Sequence, residues 1–120
     1  MNLLGFVFII IGASSGASLR FLLSKYLNDL HENIFIGTLI ANLTGALLIG
    51  IASEIFSVIS NISNEYRILF VTGFLGSLTT FSTFSIESVN LLGNHNYLWF
   101  FIHTFSHLIG SILFTIVGIL

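Results

Sequence analysis

The chain has 120 residues, of which 55% are hydrophobic and 7% charged, with a formal net charge of −2. An ordinary soluble domain carries about 25% charged residues, so the composition argues against a free cytosolic enzyme, and it is too apolar for a disordered chain. There is no Cys, hence no disulfide, thiolate nucleophile or Cys-ligated zinc, and no basic block that would suit a nucleic-acid partner.

What remains is the lipid bilayer, where a spanning helix needs about 20 apolar residues. Residues 3–23 meet that length with a single charge, Arg20. Residues 34–53 carry no charge. The third stretch, 68–91, is uncharged up to Glu87, and 97–120 has no Asp, Glu, Lys or Arg. The polar segments between them are short, which predicts antiparallel neighbours. The fold expected is therefore an all-α integral membrane protein, with one four-helix transmembrane domain over residues 1–120. Tyr26, Tyr66, Tyr97 and Trp99, the full set of Tyr and Trp, all flank spans at headgroup depth. Residues 13–18 look faintly like a signal cleavage region, but the first span lacks a basic n-region and stays apolar too long, so no cleavage is expected.

Topology puts the termini and the second loop on one side. Lys and Arg then divide as Arg67 against Arg20 and Lys25, which gives the positive-inside rule almost nothing to act on. Single and dual topology both fit that balance. A polar pathway through so small a bundle calls for an oligomer, and an antiparallel dimer would supply the inverted symmetry that larger transporters carry within one chain.

Polar residues at membrane depth are the informative ones, because each unsatisfied group there costs several kcal/mol. In the first span, Gly12 and Gly16 form a packing face, and Arg20 must snorkel or find a carbonyl or carboxylate. In the second, Gly37, Ala41 and Gly45 recur every four residues beside Thr38 and Asn42. Asn42 reads either as an interhelical hydrogen bond or as a pathway amide. Its sequon, Asn42-Leu43-Thr44, is buried in the span and is not a glycosylation site.

The third span is the least usual. Gly73 and Gly76 are followed by Ser77, Thr79, Thr80, Ser82, Thr83 and Ser85. Gly weakens the helix and Ser/Thr bond back to it, so a break is expected near residues 76–80. A break frees carbonyls for a cation and N–H groups for an anion. Thr79, Thr83 and Glu87 then form a stripe, with Phe81 and Phe84 on neighbouring faces. A Phe ring offers a positive edge to an anion. Glu87 could pair with Arg20 or gate a pathway. In the fourth span, His103, His107, Ser111 and Thr115 share one face, beside Thr104. The two histidines lack an obvious third metal ligand and cannot clamp a haem from one helix, so hydrogen-bonding or pH-sensitive pathway histidines are expected. With no ring of carboxylates, a cation pore is disfavoured. The residues alone point to a small anion or small polar solute.

Three motifs resemble the CrcB/Fluc fluoride channel family: Gly12-Ala13-Ser14-Ser15-Gly16-Ala17-Ser18-Leu19-Arg20-Phe21, then Gly37-Thr38-Leu39-Ile40-Ala41-Asn42-Leu43-Thr44-Gly45, then Gly73-Phe74-Leu75-Gly76 with the run from Thr79 to Glu87. The third is similar to GFxG…TTFSTFSxE and is the most specific. The resemblance implies a fluoride-specific channel, not an enzyme, in a bacterial cell membrane. It would export fluoride passively and lower its cytoplasmic concentration as an antiparallel, dual-topology homodimer, with a homologous second chain as the alternative partner. It implies Phe81 and Phe84 as pore rings, Asn42 as pore amide, and Ser82 and Thr83 as nearby hydroxyls. It also implies a structural Na⁺ at the dimer interface, held by the carbonyls of Gly76 and Thr79, activating but not transported. Arg20 and Glu87 match motif positions with structural or gating roles. Ser111 and Thr115 as pore groups rest on periodicity. Ser77 departs from a common Gly. The competing reading, a small proton-coupled multidrug exporter, needs a carboxylate deep in the first helix, and the first span has none. A structural subunit of a larger complex is a third reading, disfavoured by the third-span motif.

Overall fold

The computed structural model describes residues 2–120. Four helical stretches are long and apolar enough to cross a membrane, and among the described residues there is no β-strand. Helix α1, Leu3–Leu27, starts at Asn2, whose side chain accepts from the Gly5 N–H. It outruns the expected 3–23, because the polar turn Ser24-Lys25-Tyr26 continues the helix toward the headgroup layer. A 3₁₀ turn, Asn28–Leu30, leads to α2, Ile36–Val58. Helix α3 covers residues 64–78: an opening turn Asn64–Arg67 capped by Ser63, a π-helical stretch Ile68–Leu75, and a closing turn Gly76–Leu78. Helix α4, Phe81–Gly93, and α5, Tyr97–Ile119, complete the chain. Between α4 and α5, His95 takes a positive φ of 56°. There the His95 N–H donates to Leu92 O and the Asn96 N–H to Leu91 O, which satisfies the helix-end carbonyls.

Small residues set the packing, since lipid supplies no hydrophobic drive between helices. Gly12 and Gly16 of α1 lie against the backbone of residues 69–78, so α1 and α3 touch main chain to main chain. Gly37 meets the Leu23 backbone, joining α1 to α2. Gly50 and Gly118 interlock α2 with α5 in the same manner. Ala41, Leu75 and Leu78 form the small buried core, and most large apolar side chains face outward, as lipid contact requires. Asn96 Nδ2 donates to Asn33 Oδ1 at 2.7 Å, tying the first and third loops together at one end of the bundle.

Candidate functional site

The π-helical stretch underwinds α3 just before its end, and Thr79 (φ −84°, ψ 155°) and Thr80 (φ −151°, ψ 120°) are then extended. Such a turn at membrane depth must place every freed polar group with a protein partner. Asn42 does most of this. Its Nδ2 donates to the Thr80 carbonyl at 3.1 Å, and its Oδ1 accepts from the Thr80 N–H at 2.7 Å. In a continuing helix that N–H would serve the carbonyl of Gly76, which is thereby released from the i+4 bond. Thr80 also caps α4, its hydroxyl oxygen accepting from the Thr83 N–H at 3.2 Å. Arg20 meets the other side of the turn: Nε donates to the Ser77 carbonyl at 2.9 Å, a cation at a helix C-terminus.

These elements surround an open groove of about 550 Å³. Asn42, Gly76, Thr79, Thr80, Phe81, Phe84, His107, Ser111 and Thr115 all line it. Phe81 and Phe84 lie with ring centroids 5.4 Å apart and planes at 54°. Phe81 is 72% exposed, whereas Phe84 is buried against the rings of His103 and His107 at 5.1 and 4.9 Å. Gly45 faces Thr79 across the groove. Ser111 lines the groove, while Thr115 donates its hydroxyl proton to the Ala46 carbonyl at 3.0 Å. Ser82 and Thr83 sit in the first turn of α4 around Thr80 and do not line the groove.

Glu87 lies elsewhere, buried between α2 and α5. The pairing with Arg20 that the sequence offered is not formed, because Arg20 is spent on Ser77. Instead Thr38 Oγ1 donates to Glu87 Oε2 at 2.7 Å, and His103 Nε2 lies 3.6 Å from Oε1. Asn28, from the loop after α1, in turn holds Thr38 through both its side-chain nitrogen and oxygen, at 3.2 and 3.1 Å. Sequence reasoning placed Thr38 beside a small-residue stripe but found neither Asn28 nor this relay, since nothing in local spacing joins residues 28, 38 and 87. It also found no third ligand-capable side chain beside His103 and His107, where the structure brings Glu87 within 4.8 Å.

A multi-pass membrane bundle built around an interrupted helix and a polar groove is the class that this arrangement defines. The family model described as "CrcB-like protein, Camphor Resistance (CrcB)" matches residues 7–119. The chain is 51% identical to the "Fluoride-specific ion channel FluC" of Nitrosospira multiformis, over 91% of this chain and 85% of the relative. It is 48% identical to the protein of that name from Cupriavidus pinatubonensis, over 99% and 94%, and 46% identical to that from Escherichia coli K12, over 89% and 84%. The chain belongs to the CrcB family, whose named relatives are ion channels rather than enzymes.

Proposed function

We propose that the chain is a fluoride-specific channel of a bacterial cell membrane that lets fluoride leave the cell passively and so lowers its cytoplasmic concentration. The observation that carries this reading is the groove itself, where two Phe rings, an amide and hydroxyls meet beside a helix break. A small anion needs closely spaced neutral donors to replace its water shell. Ring edges at Phe81 and Phe84 and the hydroxyl of Ser111 meet that need, while Asn42 and Thr115, whose donors are spent on Thr80, His107 and Ala46, shape the groove wall beside them. Ser82 and Thr83 contribute by holding the first turn of α4 in register. Fluoride enters cells as uncharged HF, dissociates, and is trapped as the anion, so passive release down its gradient needs no coupled energy source.

The working unit is an antiparallel, dual-topology homodimer. The Phe81 side of the groove is open in a single chain, and a second copy would close it. A structural Na⁺ fits the same turn, because Gly76 is exposed, its carbonyl lacks the Thr80 N–H, and Thr79 is extended. The Gly76 and Thr79 carbonyls of both copies would hold it, and the bound ion supplies positive charge at the two-fold axis without being transported. Arg20 keeps the adjacent Ser77 carbonyl occupied, and Glu87 braces α4 against α2 through Thr38.

Fluoride efflux from liposomes holding the purified chain tests this reading, followed by a fluoride electrode with chloride as control and Na⁺ present. Fast fluoride loss without chloride loss, diminished when Na⁺ is replaced, is the expected result. A folded chain that releases no fluoride, alone or with a homologous partner chain, would overturn it.

A further inference from the structure

Glu87, His103 and His107 come from two helices, and all three are buried. One ligand-capable atom of each lies within 4.8 Å of the others. Two of these residues carry buried polar atoms without a hydrogen-bond partner, Glu87 Oε1 and His107 Nε2. An orphaned carboxylate oxygen and an orphaned ring nitrogen in one membrane-buried cluster are costly. One shared partner would satisfy both. We propose that this cluster is a binding site for a divalent transition-metal cation of the Zn²⁺ class, held by Glu87, His103 and His107.

The donor set is two imidazoles and a carboxylate, which suits Zn²⁺, Co²⁺ or Ni²⁺ and not Na⁺. Tetrahedral bonds of about 2.1 Å place ligand atoms about 3.4 Å apart, so a cluster spread over up to 4.8 Å needs to close by roughly 1.4 Å at its widest. The outer contacts already orient the ligands, as metal sites require. Thr38 holds Glu87 Oε2 at 2.7 Å and leaves Oε1 free to bind. His103 Nε2 touches the Phe84 carbonyl at 3.3 Å, yet Ser88 Oγ donates to the same carbonyl at 2.8 Å. Turning His103 to a metal therefore leaves no orphaned carbonyl.

His107 links the site to the groove. Because the Thr80 N–H needs Asn42 Oδ1, Asn42 Nδ2 must be the donor toward His107 Nδ1, at 3.0 Å. His107 Nδ1 then accepts, and its proton sits on Nε2. Coordination through Nε2 moves that proton to Nδ1, where it faces the Asn42 amide donor. The amide must turn or part from Thr80, so metal binding loosens the groove wall. The site itself stands apart from the fluoride reading. Only its effect on flux rests on that reading.

Calorimetric titration of ZnCl₂ into the purified, chelator-treated full chain in detergent tests the site without using fluoride. One Zn²⁺ per chain is expected, with at least a tenfold loss of affinity in His103→Phe, which keeps a ring between Phe35 and Phe84. Glu87→Gln, which keeps the shape of the side chain, is expected to show the same loss, and it stands in if His103→Phe does not fold. Co²⁺ should give the visible bands of a tetrahedral complex in the parent and not in either variant. Zn²⁺ should slow fluoride efflux from liposomes of the parent but not of the variants. No Zn²⁺ uptake, or uptake unchanged in both variants and so carried by the loop residues His31 and His95, would overturn the site.

Discussion

Asn42 and Thr80 are joined by a reciprocal pair of hydrogen bonds, amide Nδ2 to carbonyl at 3.1 Å and N–H to amide Oδ1 at 2.7 Å. This pairing does for an interrupted membrane helix what the i→i−4 ladder does for a regular one. The residues are 38 apart in sequence and belong to different spans. The break between α3 and α4 is thus fixed by α2, and the groove that runs past Thr80 inherits its shape from one amide.

Asn42→Asp should therefore be severe. A carboxylate can still accept from the Thr80 N–H, but it cannot donate to the Thr80 carbonyl or to His107 Nδ1. Two acceptors then face one another at membrane depth. A loss of about 1–3 kcal/mol of stability is expected, with fluoride efflux falling to the level of empty liposomes. Thermal unfolding in detergent and electrode-monitored efflux check the two halves separately. Wild-type flux from a stable Asn42→Asp protein would remove this residue from the pathway.

Phe81→Ile should separate conduction from folding. Phe81 is 72% exposed in the chain, so its truncation removes little of the chain's own packing. The substitution takes away a ring, and with it a positive edge, whose centroid lies 5.4 Å from that of Phe84. Efflux should be lost, while the elution volume on size exclusion and the unfolding temperature stay near those of the parent. Retained fluoride flux would show that the ring edges are dispensable.

The spans were legible because lipid imposes a length and a polarity that composition alone reveals. The flanking Tyr and Trp residues and the small-residue spacing at Gly12, Gly16 and Gly37 carried the same message. The helix ends were less legible. Ser24, Lys25 and Tyr26 look like a loop by polarity, yet they continue α1 because a helix protruding into the headgroup layer keeps its own hydrogen bonds. The π-helical register of Ile68–Leu75 left no signal, since most of its residues are ordinary apolar ones that fit an α-helix equally well. The partners of Glu87 were also hidden. Arg20 was the obvious opposite charge, but the carbonyl of Ser77 lies closer to it, and a neutral hydroxyl and an imidazole serve the carboxylate instead.

Thr38→Val should show how much the relay from Asn28 matters. Valine keeps the shape of Thr38, which is fully buried, but removes the hydroxyl that donates to Glu87 and accepts from Asn28. Glu87 would then keep no hydrogen-bond donor among the described residues beyond the 3.6 Å contact with His103. A stability loss of about 1–3 kcal/mol is expected for leaving a buried carboxylate oxygen unsatisfied. The double variant Thr38→Val with Glu87→Gln should lose less than the sum of the two singles, because the residues act as one pair. Strict additivity in thermal unfolding would show that the 2.7 Å bond carries no energy of its own.

The close contacts of the glycines make the sharpest contrast. A Cβ on Gly50 would run into the Thr115 carbonyl and lie 3.1 Å from the Gly118 Cα, both backbone groups of α5. Neither can move aside without separating α2 from α5. Gly93, at the end of α4, has nothing within 4 Å of the same added atom and does not use a positive φ. Gly50→Ala should therefore destabilise the bundle by about 1–3 kcal/mol through overpacking. Gly93→Ala should be neutral or stabilising by up to about 1 kcal/mol through helix propensity. Both changes add one methyl group to a helix in the same protein, so propensity alone would move them in the same direction. Unfolding temperatures in one detergent, measured side by side, decide between propensity and helix–helix contact. A Gly50→Ala protein as stable as the parent would mean that α2 and α5 pack less closely than the interlocked glycines indicate.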